Sequence, residues 1–314
     1  MVRQAKPAVR SFSTTRLTLA GSSPRKSYPN APLGVEAALE ATSNLDSTPR
    51  AKIFDEFSLT DRVAVVTGAN RGLGLEMAVA LAEAGSRAVY CFDLPQQPGD
   101  EWVASREFVG RLGSRLEYVS ADVRDQKGLW KLVEGIANEE GRMDVCVANA
   151  GVLKSHIDCL EYPEEEFKEV MDINTNGVLY TAQAAGRQMS RFGTPGSIIL
   201  VASMSGSITN RDHSWVSYNT SKSAVLQMAR SMACELGPRG IRVNSLSPGY
   251  IYTQLTAAFL DKNEGLLEKW SALKPLGRIG RPNELRGVIT WLASDASSFC
   301  TGSDIIVDGG YTAW

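Results

Sequence analysis

From Asp61 to the C-terminus, short β-branched runs alternate with longer stretches in which apolar residues return every three or four positions. The runs at 63–67, 88–92, 116–120, 145–148, 197–201, 242–246 and 305–307 have strand length. The stretches at 74–84, 101–111, 126–140, 164–192, 217–236, 254–270 and 282–293 carry the helical period. Strands alternating with helices are the signature of a parallel sheet covered on both faces. The pattern therefore predicts an α/β fold, a single doubly wound domain on a seven-stranded parallel sheet, without internal repeats. In such sheets ligands bind at the carboxyl ends of the strands, where the chain order reverses.

The first segment differs in kind. Residues 1–35 hold Arg3, Lys6, Arg10, Arg16, Arg25 and Lys26, many Ser and Thr, and no acidic residue before Glu36. That is the composition of a mitochondrial transit peptide, and Arg10-Ser-Phe-Ser-Thr-Thr-Arg16 resembles fungal presequences. The competing reading is a basic tail with no address, which leaves a cytoplasmic protein. The stretch to about Pro49, rich in Ser, Thr, Pro and Ala, reads as a linker without a core. The expected organisation is thus 1–50 as leader and linker and 51–314 as the catalytic domain, with a matrix location.

Composition narrows the function classes. A chain of 314 residues with 43% hydrophobic and 22% charged content can build one full α/β core. A formal charge of −2 offers no basic footprint for nucleic acid, so none is expected as a partner. No run approaches the roughly 18 to 20 apolar residues of a membrane span, and no membrane association is expected. Cys91, Cys146, Cys159, Cys234 and Cys300 are odd in number and lack a C-x-x-C pair, which fits reduced thiols. The two histidines, His156 and His213, lack metal-ligand spacing, so no metal is expected. His213 lies five residues before Tyr218, in a segment that could face a substrate.

Candidate chemistry begins after the first strand with Thr67-Gly68-Ala69-Asn70-Arg71-Gly72-Leu73-Gly74, followed by a helix-forming run. Glycines permit positive φ and close backbone approach, so a pyrophosphate can rest against amide N–H groups at the positive end of the helix. A glycine-rich turn that binds nothing is the alternative. Asp93 ends the second strand, about 20 residues on, where a carboxylate can accept hydrogen bonds from the adenosine ribose hydroxyls and repel a 2′-phosphate. Arg71, inside the loop, is the opposing signal for NADP; the balance favours NAD.

Tyr218-Asn-Thr-Ser-Lys222 opens a long helical pattern, and i, i+4 spacing sets both side chains on one face. A phenol is a poor base at neutral pH, but a neighbouring ammonium and an oxidised nicotinamide both favour phenolate. Tyr218 can then take an alcohol proton as hydride leaves, or return it.

The T-G-x-x-x-G-x-G octet, the Tyr–Lys pair and their order resemble the short-chain dehydrogenase/reductase superfamily, over roughly Phe57 to the C-terminus. The resemblance implies a Rossmann-type domain and an NAD(P)-dependent enzyme that interconverts an alcohol and a carbonyl. It assigns Thr67, Gly68, Asn70, Arg71, Gly72, Leu73 and Gly74 to the cofactor loop, and gives Lys222 a second role at the nicotinamide ribose. Asp122 and Val123 would contact adenine, although Asp122 could instead cap the next helix. Ala148-Asn149-Ala150-Gly151 resembles the family's N-N-A-G element and would line the cofactor. Ser203 is preferred to Ser205 as the hydroxyl that stabilises the substrate oxygen. Asn174, not Asn176, matches the position that holds a proton-relay water, though it could equally bond local backbone. Pro248, Gly249, Ile251 and Thr253 form the P-G-x-x-x-T turn that grips the nicotinamide carboxamide, and the substrate lid follows near 250–275.

The run from Ser203 to Val243 and the C-terminal 307–314 look like fungal polyol and ketose members, such as arabinitol, mannitol and sorbose enzymes. The resemblance therefore points to a small-molecule pair such as D-arabinitol and a ketopentose. A 3-oxoacyl-thioester reductase is the rival substrate class. A catalytically inactive cofactor-binding regulator is the rival of another kind. The resemblance also implies a homo-oligomer, tetramer or dimer, assembled through the Tyr218 helix and its predecessor.

Overall fold

Strands β1 (Val63–Thr67), β2 (Ala88–Asp93), β3 (Arg115–Ser120), β4 (Val145–Ala148), β5 (Gly196–Val201), β6 (Ile241–Pro248) and β7 (Asp304–Val307) form one sheet. They are parallel and lie in the order β3-β2-β1-β4-β5-β6-β7. This computed structural model describes residues 32–44, 48–253, 256, 257, 260 and 264–314. All seven strands fall where the β-branched runs predicted them. The central strands β1, β4 and β5 are buried along their whole length, as strands covered on both faces must be. The chain winds outward from β1 to β3, then returns to the other side of β1 at β4. That reversal opens a crevice at the carboxyl ends of β1 and β4.

Two apolar clusters flank the sheet. One face packs α5 (Gln126–Glu140), α7 (Gly177–Phe192) and α8 (Val216–Leu236) through Leu129, Val133, Val178, Ala182 and Val225. The other packs α3 (Gly72–Glu83), α4 (Asp100–Arg111) and the helix Arg286–Ala293 through Met77, Leu81, Trp102, Ile289 and Leu292. Asp144, buried before β4, accepts the Val63 N–H at 2.9 Å and both arms of Arg142, which fixes the starts of β1 and β4 side by side.

Two helical expectations need correction. The stretch 164–192 is not one regular helix: α6 (Glu164–Met171) and α7 are separated by a π-helical turn, Asp172–Asn176. The extra residue per turn rotates Asn174 into the interior, where it is fully buried. Nor is 254–270 one helix, because Gly265 adopts a left-handed φ of 77° and starts a separate helix, α9 (Leu266–Ala272). Residues 254, 255, 258, 259 and 261–263 lie outside the described residues.

Upstream, α1 (Gly34–Ser43) has no buried residue, and α2 (Ile53–Glu56) is a single short turn. The leader expected in the first 35 residues falls almost wholly outside the described residues. Among those described, no helix is long and apolar enough to cross a membrane, and no three His, Cys, Asp or Glu residues cluster as metal ligands would.

Candidate active site

At the carboxyl end of β1 the glycine loop is shaped by close approaches. A Cβ on Gly74 would lie 2.1 Å from the Gly68 carbonyl oxygen, and one on Gly68, whose φ is 66°, would lie 2.9 Å from the Ala150 Cα. At Gly72, with φ 59°, a Cβ would meet nothing within 4 Å. A hollow therefore opens at the start of α3, whose first turn carries no acidic residue and no side-chain cap. Uncapped N–H groups at the positive end of a twelve-residue helix suit a diphosphate, so this loop fits the dinucleotide expected of it. Leu73 follows, half-buried at the helix start, and Arg71 is exposed.

Asn149 clasps the loop to β4. Its Nδ2 donates to the carbonyls of Thr67 at 3.0 Å and Gly68 at 3.1 Å, while the Thr67 hydroxyl accepts the N–H groups of Asn149 and Ala150. Asp93, at the tip of β2, accepts the Asn70 N–H at 3.0 Å and the Leu94 N–H at 2.8 Å. The Asn70 side chain in turn accepts from the Gly99 N–H at 2.8 Å. Asp93 thus stands beside the loop, where the adenosine ribose of a dinucleotide would lie.

Asp122 is not the cap of α5, because Asp125 holds that place and accepts the Gly128 N–H. The Asp122 carboxylate instead grips Arg124 through its guanidinium and backbone N–H, and that hydrogen bonding holds it below the usual carboxylate range. Val123 packs against α7, where Gly177 leaves room: a Cβ there would fall 2.7 Å from the Val123 Cγ2.

The proton-handling residues meet at the end of β5. Ser203 ends the chain's exit from β5 and accepts the Ser205 N–H at 3.2 Å, which starts a tight turn through Gly206. That turn lies directly on α8: a Cβ on Gly206 would be 2.8 Å from the Lys222 carbonyl. The close approach sets the Ser203 hydroxyl beside the Tyr218 phenol, whose ionisation it favours, while the Ser205 N–H is turned onto Ser203. Lys222 is 3% exposed, donates to the Val201 carbonyl at 2.9 Å, and its Nζ sits 5.7 Å from the Tyr218 ring centroid. Burial pulls the Lys222 ammonium down to about 8. Burial also pushes the Tyr218 phenol up, and the Ser203 hydrogen bond opposes it. The ammonium is turned toward Val201, so in the free protein burial governs the phenol, and the second positive charge expected from an oxidised nicotinamide is absent.

Asn174 is no local backbone binder. Its Oδ1 accepts the Val152 N–H at 2.8 Å and its Nδ2 donates to the Val152 carbonyl and to the Ser221 hydroxyl. It therefore joins the β4 exit to α8 beside Gly151, where a Cβ would be 3.3 Å from the Asn174 Oδ1 and 3.5 Å from the Lys222 Nζ. Asn176 bonds Asp172 at the surface and takes no part.

After β6, Gly249 lies so close to β7 that a Cβ would be 2.6 Å from the Asp308 Cα, which sets the turn following Pro248. The Ile251 carbonyl and the Thr253 N–H are both engaged by the Thr256 hydroxyl, at 2.7 Å each, and the Thr253 and Thr256 hydroxyls lie 3.2 Å apart. Sequence reasoning missed Thr256, although a hydroxyl three residues after Thr253 was there to be read. It also missed a set of aromatic rings beside Tyr218. Trp215 meets the Tyr218 ring edge-on at 6.2 Å, and Tyr250 stacks on Trp270 at 3.9 Å. Asn210 donates to the Tyr250 hydroxyl at 3.0 Å, and Lys274, 3% exposed, places its ammonium 4.7 Å from the Tyr250 ring centroid. These residues come from segments around 210–218, 250 and 270–274, and no spacing rule connects the three.

Comparison with known proteins agrees with this geometry. A family model described as enoyl-(acyl carrier protein) reductase matches residues 68–312. The chain is 42% identical to a sorbose reductase of Schizosaccharomyces pombe over 81% of its own length and 97% of that protein's. It is 37% identical to a probable NADP-dependent mannitol dehydrogenase of Yarrowia lipolytica, over 82% of this chain and 90% of that one. A crystal structure of a short-chain type dehydrogenase/reductase from Mycobacterium marinum superposes with a TM-score of 0.77 at 41% identity, covering 83% of this chain and 99% of that chain.

The glycines make separable predictions. Gly74→Ala drives a methyl group into the Gly68 carbonyl and lowers stability by about 1–3 kcal/mol. Gly72→Ala strains the backbone by about 1–2 kcal/mol but also fills the hollow, so thermal unfolding with added dinucleotide loses the ligand-induced rise in Tm.

Proposed function

This chain belongs to the short-chain dehydrogenase/reductase family, and from that premise we propose that it interconverts a secondary alcohol of a polyol and the matching ketose, with Tyr218 transferring the proton. It is an NAD(P)-dependent oxidoreductase. The observation that carries the proton-transfer reading is the half-buried Tyr218 phenol, beside Ser203 and next to the buried Lys222 amine at the chain-reversal crevice. The polyol reading is supported by relatives named for sorbose and mannitol.

The residues divide the work. The glycine loop, Asn149, Ala150 and Gly151 wall the dinucleotide site, and the turn from Pro248 to Thr253 closes its nicotinamide end. Bound NAD(P) supplies the hydride acceptor and, when oxidised, a positive charge. In the oxidative direction the substrate carbon loses a hydride, its hydroxyl loses a proton to the Tyr218 oxygen, and a carbonyl remains. The Ser203 hydroxyl donates to the substrate oxygen and orients it. With its ammonium near 8, Lys222 can accept and release protons at neutral to mildly alkaline pH.

For the cofactor, the reading is NAD. The Asp93 carboxylate supports it, as a 2′-phosphate would face a negative charge beside the Asn70 amide. Arg71 is exposed at the rim.

A screen of the full chain for reduced-nicotinamide absorbance, crossing NAD and NADP with pentitols, hexitols, ketoses and an oxoacyl thioester, tests the substrate reading. Turnover of a pentitol or hexitol is expected, and Tyr218→Phe should cut kcat by about 10³-fold or more while sparing dinucleotide binding. Activity confined to NADPH and the thioester contradicts it. Asp93→Ser is expected to shift the NAD-to-NADP ratio of kcat/KM toward NADP by at least about tenfold, or roughly 1.4 kcal/mol; an unchanged ratio removes Asp93 as the determinant.

A further inference from the structure

The chain has two histidines, and they touch beside the catalytic tyrosine. His156, in the loop after β4, places its Nε2 2.9 Å from the Nδ1 of His213, in the loop between β5 and α8. The indole N–H of Trp270, on α9, points at the His213 Nε2 at 3.1 Å. The Ser214 backbone N–H points at the His156 Nε2 at 3.3 Å. Indole and amide nitrogens only donate, so the pattern assigns the tautomers. The His213 Nε2 must accept, which leaves its Nδ1 to carry the proton and donate to His156. The His156 Nε2 then accepts two hydrogen bonds. Both rings are neutral in this arrangement, and a second proton on His213 would set N–H against the N–H of Trp270.

These bonds bind three chain segments around the site. His213 stacks on Trp215 at 4.2 Å with ring planes 4° apart, and Trp215 meets Tyr218 edge-on. Trp270 carries the stacked Tyr250 ring. An ion pair from Lys269 to Asp212, at 2.8 Å, runs parallel to the indole bond between the same two segments. The histidine pair therefore sits where the lid helix α9 meets the wall beside Tyr218.

We propose that His213 is a positioning residue that latches α9 against the Trp215–Tyr218 wall while neutral and releases it when protonated, so that closure over the alcohol substrate is coupled to pH. The inference rests on the reading of Tyr218 as the proton-transferring residue and of α9 as part of the substrate lid.

The surrounding charges set the sign. Burial disfavours the imidazolium most, the His156 and Lys269 positions oppose it further, and Asp212, itself paired with Lys269 and near Arg211, favours it. The Tyr250 ring faces His213 edge-on at 6.4 Å between centroids. The latched imidazole is held at about 4, below its ordinary 6.5. A released lid binds the proton with ordinary affinity and a latched one does not. Closure is therefore insensitive to pH above about 6.5 and weakens as pH falls below it, by up to about tenfold per unit, until about 4.

Two readouts test this on the full chain at about pH 7.5 and about pH 5.5. One is KM and kcat for whichever alcohol it oxidises; the other is hydrogen exchange of residues 264–274, corrected for the intrinsic rate. The wild type is expected to show KM up to about tenfold higher at the lower pH, an unchanged dinucleotide Kd and faster exchange on α9, whereas the fall in kcat that Tyr218 and Lys222 impose is shared by His213→Phe. His213→Phe keeps the stack on Trp215 but cannot titrate, and should show a raised, pH-independent KM and fast exchange at both values. Trp270→Phe keeps the stack on Tyr250 but removes the indole donor, and should shrink the pH step to less than about twofold. A wild type without the step, or variants that retain it in full, overturns the latch. If His213→Phe fails to fold, Trp270→Phe and wild-type exchange decide. If no polyol is a substrate, the screen has already failed for the wild type while the exchange experiment still judges the latch.

Discussion

An amine with 3% of its surface exposed, hydrogen-bonded to the last carbonyl of β5, is the constraint around which the site is arranged. Water does not solvate the Lys222 ammonium, and burial has already lowered its proton affinity. Its position is fixed from three sides. The Gly206 turn lies against its backbone, Gly151 leaves space at its tip, and the Val201 carbonyl holds its nitrogen. Larger residues at either glycine would push the lysine, and with it Tyr218, away from the crevice.

The same economy of space recurs around the strand ends. β1, β4, β5 and β6 each deliver one loop to the crevice, and each loop approaches a neighbour at a residue without a side chain. Gly68 approaches Ala150, Gly151 approaches Asn174, Gly206 approaches Lys222, and Gly249 approaches Asp308. Where backbones pass this closely, amide and hydroxyl groups knit the loops together, as Asn149 does with Thr67 and Asn174 with Val152. The resulting frame is rigid at the dinucleotide side. On the substrate side the contacts are aromatic stacks, two histidines and the exposed Lys269–Asp212 ion pair, whose charges face water when it separates. A closely knit cofactor frame beside a wall that the proposed latch releases is an arrangement suited to a hydride-transfer enzyme.

The fold was almost fully legible from period and punctuation. Strands buried on both faces leave continuous β-branched runs, and the glycine loop announces itself by its place between strand and helix. The Tyr218–Lys222 pair was legible because i, i+4 spacing is a local property. What escaped was tertiary. The π turn at Asp172–Asn176 exists because Asn174 finds partners on Val152 and Ser221, 22 and 47 residues away, and nothing in its own helix signals that. The helical stretch expected at 254–270 broke at Gly265, where one positive φ outweighed an apolar period that ran through it. The phenol was expected to be tuned by Lys222 and an oxidised nicotinamide together; in the free protein burial dominates and the lysine faces a carbonyl, a balance that only the surroundings of both groups reveal. His213 was singled out for its closeness to Tyr218, but its partners His156 and Trp270 lie 57 residues to either side.

The central claim is that burial keeps Tyr218 a neutral phenol until a positive charge is bound beside it. Its most direct test is the near-ultraviolet absorbance of tyrosinate, titrated in the wild type and in Tyr218→Phe, whose difference isolates one phenol among the nine tyrosines. The predicted result is a phenol that ionises above its ordinary value of about 10 in the free protein and at least about one unit lower with oxidised dinucleotide, but not with reduced. An ionisation that ignores the oxidised cofactor, or a shift that survives in Tyr218→Phe, would contradict the account.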